Sequence, residues 1–173
     1  MSTKTLYTLV GLACALALTA GSAQANGGDG SRIVFSVENV GDASADCADA
    51  WFGLSFDMVS LAGVLLGTGR SCVHSIDDGC TPFVAGCHQK VDATFELDFG
   101  RGSLTVPMKL HEVLPTESSF IQRGTGRIAG GTGDFEDARG RVKGGGSAAF
   151  TDQGLVGEIV YVVRLKGDSS EDD

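Results

Sequence analysis

Apolar and polar residues alternate along much of the chain with a period of two, which is typical of β-strands that bury one face. The clearest run spans residues 91–99, where every odd position is apolar and the even positions are Asp, Thr, Glu and Asp. A second run, Leu104 to Leu110, follows the turn Gly100-Arg101-Gly102. The two runs predict a β-hairpin. Pro107 in the second run predicts an edge, a bulge or an unpaired amide.

Further alternation predicts strands elsewhere in the chain. The candidate segments are residues 33–37, 54–58 and 155–165, with shorter strands at 135–142 and 147–150. Glycines interrupt the long apolar region 51–66 and argue against a helix there. About eight short strands must close into a barrel or pair into a sandwich, because an open sheet would leave its apolar face in water. The short turns favour an antiparallel meander.

The N-terminus has the pattern of an export signal. Lys4 precedes an apolar stretch from Leu6 to Ala20, and Ala23-Gln24-Ala25 matches a signal peptidase site. The stretch is shorter than the roughly 20 residues that span a bilayer. We therefore predict the following organisation: signal peptide 1–25, flexible leader 26–31, a single barrel domain 32–167 and an acidic disordered tail 168–173. The protein is predicted to be exported to the periplasm or the medium.

Charge argues against several kinds of partner. The chain has 13 basic and 22 acidic residues. Removal of the signal peptide, which contains Lys4, leaves 12 basic against 22 acidic residues, a net charge of −10. This charge repels polyphosphates and anionic membranes, so we expect no nucleic-acid partner. No segment after the signal peptide is apolar for long enough to cross a bilayer, so we expect no membrane span in the mature chain.

Four cysteines remain after removal of the signal peptide: Cys47, Cys72, Cys80 and Cys87. An even number of cysteines in an oxidising compartment favours two disulfides. We expect Cys80 with Cys87 or Cys72 to close a stapled excursion over residues 72–87, and Cys47 to take what remains. The alternative is a zinc site that also uses His74 and His88, but the tight C-x₂-C spacing of structural zinc sites is missing. The prediction is therefore no metal and no cofactor.

A glycine-rich stretch covers residues 124–135, GTGRIAGGTGDF. It lacks the Gly-Lys-Ser/Thr of a P-loop, and the glycines that follow argue against the helix of a dinucleotide fingerprint. We interpret these glycines as sites of positive φ and close backbone approach at turns and bulges of a small barrel. Gly130 and Gly133 in particular are predicted to have conformations that are costly for a residue with a Cβ.

The same stretch carries a family resemblance. Residues 124–140, GTGRIAGGTGDFEDARG, resemble the GGTGRFAGATGxFxxAxG stretch of the allene oxide cyclase-like and dirigent-like barrel proteins, particularly their small exported bacterial members. Residues 93–106 are similar to the ATFTFANGDTLT hairpin of that family, and the similarity spans about residues 92–166. The resemblance implies an all-β, calycin-like barrel of eight antiparallel strands with an interior pocket, and possible assembly into trimers. The enzymes of this family guide cyclisation or radical coupling largely by pocket shape.

The alternating faces give a candidate ligand pocket. Seven residues are predicted to point inward and line it: Phe95, Leu97, Leu104, Val106, Ile159, Tyr161 and Val163. Tyr161 is the best candidate for orienting a ligand, and the alternative is a core tyrosine bonded to a backbone carbonyl. The opposite face, with Asp92, Glu96 and Asp98, is predicted to face solvent. No catalytic residue is assigned.

One further pair, His111-Glu112, follows the second run of the hairpin. It could act as an acid/base pair, but we favour a solvated strand terminus.

Three functions agree with these observations. The preferred one is an exported small barrel that binds a small apolar ligand or a protein partner, in the barrel or at its mouth. The first alternative is a cyclase-like, isomerase-like or dirigent-like enzyme that uses the pocket. The second is a structural or surface-associated protein with a filled barrel. A cavity with buried polar groups would favour the binding protein or the enzyme over the filled barrel.

Overall fold

The computed structural model describes residues 31–78, 84–152 and 154–166. The predicted signal peptide, all of the leader except Ser31, the acidic tail and Cys80 lie outside the described residues. The strands are β1 (Arg32–Asp42), β2 (Phe52–Val59), β3 (Leu65–Asp78), β4 (His88–Asp98), β5 (Ser103–Thr116), β6 (Ser119–Arg127), β7 (Gly130–Gly131), β8 (Gly140–Thr151) and β9 (Gly154–Leu165). Short 3₁₀ helices cover Ser44–Asp46 and Gly133–Phe135.

Eight of these strands form a closed antiparallel barrel. Strands β1 to β6 pair in chain order, β6 pairs with β8, β8 pairs with β9, and β9 returns to pair with β1. The two-residue strand β7 lies outside this ring and pairs with the start of β5. The predicted all-β, eight-stranded antiparallel barrel is therefore confirmed, and closure removes the open edges that a meander would otherwise expose.

The alternation predicted from the sequence decides which face is inside. On β4, Val91, Ala93, Phe95 and Leu97 are buried, while Asp92 and Asp98 are exposed. Glu96 lies on the same outer face and forms an ion pair with Arg70. The three carboxylates are thus on the outside of the barrel, as expected.

Pro107 lies where the partner of β5 changes. Leu104 and Thr105 pair with β7, and pairing with β6 begins at Met108. Proline has no amide hydrogen to donate. Because Pro107 lies between the residues that pair with β7 and those that pair with β6, no backbone hydrogen bond to either of these strands is lost.

Part of the glycine-rich sequence differs from the prediction, because it lies within continuous strands and not at turns or bulges. β6 runs through Gly124 and Gly126, and β8 runs through Gly144 without interruption. A Cβ on Gly124 would overlap the Leu110 side chain, and a Cβ on Gly144 would overlap the Tyr161 ring. These glycines leave interior room for large side chains on other strands. We call Gly124, Gly126 and Gly144 the glycine wall.

The prediction for Gly133 agrees with the structure, and the prediction for Gly130 is wrong. Gly133 has φ +56°, and a Cβ there would overlap the Arg101 carbonyl oxygen. A Cβ on Gly130 would have no neighbour within 4 Å, and its φ is not positive. The close approach falls one residue later, at Gly131, where a Cβ would overlap the Phe135 carbonyl oxygen.

A disulfide joins Cys47, in the loop after β1, to Cys72 on β3, with 5.5 Å between their Cα atoms. Cys87 is buried and also disulfide-bonded. The predicted excursion 72–87 is shorter than expected, because β3 continues to Asp78 and pairs with β4 along residues 75–78. His74 is exposed, with its ring nitrogen 2.9 Å from the Thr94 hydroxyl.

The Cys47–Cys72 disulfide should contribute substantially to stability. It closes a loop with a sequence separation of 25 residues. A cross-link of this length restricts the unfolded chain and is worth about 3 kcal/mol. We expect the double variant Cys47→Ala/Cys72→Ala to lose about 2–4 kcal/mol in urea unfolding under non-reducing conditions. An unchanged unfolding midpoint would mean that the Cys47–Cys72 disulfide does not stabilise the folded protein.

Candidate functional site

A cavity of about 100 Å³ lies inside one end of the barrel. This is the end that carries the β5–β6 turn, and the turn residues Glu117 and Ser118 border the cavity. The lining is mostly apolar and comes from β1 to β6, β8 and β9. It includes Val37, Phe52, Leu54, Val73, Val91, Leu110, Phe120, Phe150 and Leu155.

Aromatic rings close the inner side of the cavity. Phe56, Phe95 and Tyr161 all line it, with ring centroids 6.0 Å apart for Phe56–Phe95 and 5.2 Å apart for Phe95–Tyr161. Edge-to-face packing of this kind holds the rings in place. At the opposite end, the buried Phe135 of the second 3₁₀ helix packs on Phe99, so that end of the barrel is filled.

The seven predicted pocket residues are all buried but do not all line the cavity. Phe95, Ile159 and Tyr161 line it. The remaining residues pack in the filled half, where they leave no space: Leu97, Leu104, Val106 and Val163. Alternation identifies the inner face of a strand, but it carries no information about depth along the barrel. A ligand-binding role for these residues stays a prediction.

Three polar residues lie side by side on the inner wall. Gln89 on β4 pairs in register with Glu112 on β5, and Glu112 pairs with Gln122 on β6. All three line the cavity. We call Gln89, Glu112 and Gln122 the polar row. The end of the barrel that carries the β5–β6 turn is called the open end. The polar row lies one residue layer closer to this end than the apolar row of Val91, Leu110 and Gly124.

Hydrogen bonds connect the polar row to itself and to Tyr161. The Gln89 amide donates to the Glu112 carboxylate at 2.7 Å, and the Gln122 amide donates to the Tyr161 hydroxyl at 2.8 Å. The predicted alternative for Tyr161, a bond to a backbone carbonyl, does not occur among the described residues. The Tyr161 hydroxyl is therefore held toward the polar row by a side chain.

Burial shifts the titration of both acidic groups. Desolvation raises the pKa of Glu112, although the hydrogen bond from Gln89 partly offsets the shift. Desolvation also raises the pKa of Tyr161 above its ordinary range, and the nearby Glu112 charge raises it further. Tyr161 is thus a neutral hydroxyl near a carboxylate, inside an apolar cavity.

His111 and Glu112 do not form a pair. Successive residues of β5 point to opposite faces, so His111 is exposed outside while Glu112 lines the cavity. The prediction of a solvated strand terminus is therefore wrong for Glu112. β5 continues to Thr116, which keeps this carboxyl inside the barrel.

Some classes of site find no candidate in the described ranges. Among residues 31–78, 84–152 and 154–166, no three His, Cys, Asp or Glu side chains are grouped to hold a metal ion. The same ranges contain no helix with the length and apolar character needed to cross a membrane.

The fold and the cavity define a closed β-barrel with an apolar interior cavity and a few buried polar groups. A scan against protein-family models finds no match for this chain, and neither curated proteins nor solved structures match it. The resemblance of residues 92–166 to the allene oxide cyclase-like and dirigent-like family stays a prediction from the sequence.

Proposed function

We propose that this protein is an exported barrel that binds a small apolar molecule in its cavity. The observation that carries the proposal is the contrast between the two ends of the barrel: Phe99 and Phe135 pack together at one end, while the other contains an open cavity of about 100 Å³ with a mostly apolar lining. An engineered apolar cavity of ~150 Å³ accepts benzene. The present cavity is smaller but opens at one end, so we propose that it takes a small molecule or one end of a longer chain.

The polar row supports a binding site over a packing defect. Apolar pockets with a small number of placed polar groups are typical of ligand sites, because those groups fix the orientation of the ligand. A structural protein would gain stability from filling the space, since an interior void loses dispersion contacts. Export is part of the proposal, and the Cys47–Cys72 disulfide supports it because disulfides persist in oxidising compartments.

An apolar fluorescent probe tests the proposal. We expect N-phenylnaphthylamine to bind the wild-type protein saturably, with its phenyl ring in the cavity and the rest of the probe at the open end, and its fluorescence to rise as that ring leaves water. Leu54→Trp places a larger side chain in the cavity and should weaken binding about tenfold or more, which is ~1.4 kcal/mol. Ile121→Trp makes the same kind of change on the outer face, where Ile121 is 52% exposed, and should leave binding unchanged.

Equal probe affinity in both variants would place the binding site outside the cavity. Absence of saturable binding to the wild-type protein would contradict the proposal directly. Circular dichroism of each variant checks that the barrel has folded.

An isomerase-like activity is a second candidate, and Glu112 is the observation that favours it. A buried carboxylate with a raised pKa can remove a proton from one carbon of a bound molecule and return it to another. An endogenous ligand that copurifies with the protein would then take up deuterium from heavy water. Uptake that disappears in Glu112→Gln supports this activity, whereas no uptake above the protein-free rate contradicts it.

A further inference from the structure

The polar groups of the cavity are left with unused hydrogen-bonding capacity. Gln89 is 3% exposed, and its Oε1 has no hydrogen-bond partner, although its amide nitrogen donates to Glu112. The Tyr161 hydroxyl accepts a bond from Gln122, and among the described residues it donates none. Buried polar atoms without partners are uncommon, because each costs free energy. Here they line a cavity that a ligand can enter.

The unused groups have a definite chemical pattern. Gln89 Oε1 and the Glu112 carboxylate accept hydrogen bonds, while the Tyr161 hydroxyl has a proton to donate. The Glu112 charge lies close enough to Tyr161 to affect its ionisation. The site therefore presents acceptors and a donor to the same small volume.

A hydroxyl group fits this pattern better than other simple polar groups. It accepts from Tyr161 and donates to Glu112 or Gln89 with a single oxygen. A ligand carboxylate would be repelled by Glu112. An ether or a ketone could accept from Tyr161 but would leave the acceptors unpartnered, and an ammonium group would leave the Tyr161 proton without an acceptor.

We propose that the cavity selects a neutral, largely apolar alcohol, whose hydroxyl binds between Tyr161 and the Gln89–Glu112 pair. This inference rests on the proposed function and adds the chemical class of the ligand. The hydroxyl lies at the level of the polar row. The apolar part extends toward the open end, which Phe120, Phe150 and Leu155 line.

Two isomeric probes test the role of the hydroxyl proton. n-Octanol and heptyl methyl ether have the same composition, but only the alcohol can donate a hydrogen bond. In calorimetric titrations of the purified protein at neutral pH, we expect n-octanol to bind about tenfold or more tightly than the ether. Octanoate should bind more weakly than n-octanol, because Glu112 repels its charge.

Conservative variants assign the selectivity to individual groups. Tyr161→Phe and Gln89→Leu should each bring the affinity for n-octanol toward that for the ether. Glu112→Gln removes the charge, so it should weaken n-octanol binding and strengthen octanoate binding. This variant should fold, because the raised pKa of Glu112 shows that burial disfavours its ionised form. Glu158→Gln on the exposed face of β9 is the matched control and should change neither affinity.

The outcomes separate this inference from the proposed function. Equal affinities of the wild-type protein for n-octanol and the ether would overturn the selection of alcohols and leave apolar binding intact. Retention of selectivity in both Tyr161→Phe and Gln89→Leu would also overturn it, because the hydroxyl would then be recognised elsewhere. If neither probe nor N-phenylnaphthylamine binds, the proposed function itself fails.

Discussion

Gly133→Val should lower the free energy of unfolding by about 3 kcal/mol or more, and Gly131→Val should have a similar effect. Two separate causes act at Gly133, because its φ is +56° and a Cβ would overlap the Arg101 carbonyl oxygen. At Gly131 the cause is steric, since a Cβ would overlap the Phe135 carbonyl oxygen. Backbone atoms cannot rotate away as a side chain can, so the 3₁₀ helix that fills this end of the barrel must move.

Gly130→Val is the matched control, because it makes the same substitution in the same segment. A Cβ there meets nothing within 4 Å, and the cost should stay within about 0.5 kcal/mol. Urea unfolding of the three variants measures the differences. Equal losses at Gly130 and Gly133 would show that valine harms this segment for a reason other than backbone contact.

Phe95→Ala should cost about 3–5 kcal/mol, the range found when a buried phenylalanine is truncated. Phe95 is 3% exposed, and its ring packs against both Phe56 and Tyr161. Its removal leaves a void that joins the existing cavity. A variant that still folds should therefore accept bulkier apolar probes than the wild-type protein does.

Thermal unfolding measures the loss of stability, and fluorescent probes of increasing size measure the enlarged cavity. Phe150→Ala is the control, since Phe150 also borders the cavity but is 45% exposed and should cost about 1 kcal/mol or less. A small loss in Phe95→Ala, comparable to that of the control, would mean that the rings do not support the inner side of the cavity.

The sequence predicted the barrel because alternation is set by one dominant effect, the burial of apolar side chains on one face. Residues 91–97 of β4 illustrate this, with every odd side chain buried. The glycines were harder to interpret, since a missing side chain has two uses. Gly133 permits an unusual backbone conformation, whereas Gly124 and Gly144 give up space to neighbouring strands, and only the three-dimensional packing distinguishes these uses.

The polar row was missed because the predicted strands were too short at the end of the barrel where it lies. The inner series Leu104, Val106, Met108 and Leu110 continues with Glu112, and the inner series of β4 begins at Gln89 rather than Val91. A polar residue at the edge of an apolar run usually marks the end of a strand in solvent. Here the same period continues through polar positions, and this continuation is the signal in the sequence that could have located the site.

The glycine wall couples residues on paired strands through a shared volume. Any side chain at Gly144 would claim space that the Tyr161 ring occupies, and any side chain at Gly124 would claim space that Leu110 occupies. At Gly144 the Val160 carbonyl oxygen also blocks a Cβ, whereas at Gly124 the close contact is with a side chain. Size can therefore be exchanged between Gly124 and Leu110, which pair in register on β6 and β5, while the backbone stays the same. Over evolutionary time, a smaller residue at position 110 would permit a larger one at position 124, and the shape of the cavity would change through this coupled pair. Homologues of this chain should show these positions varying together, large against small.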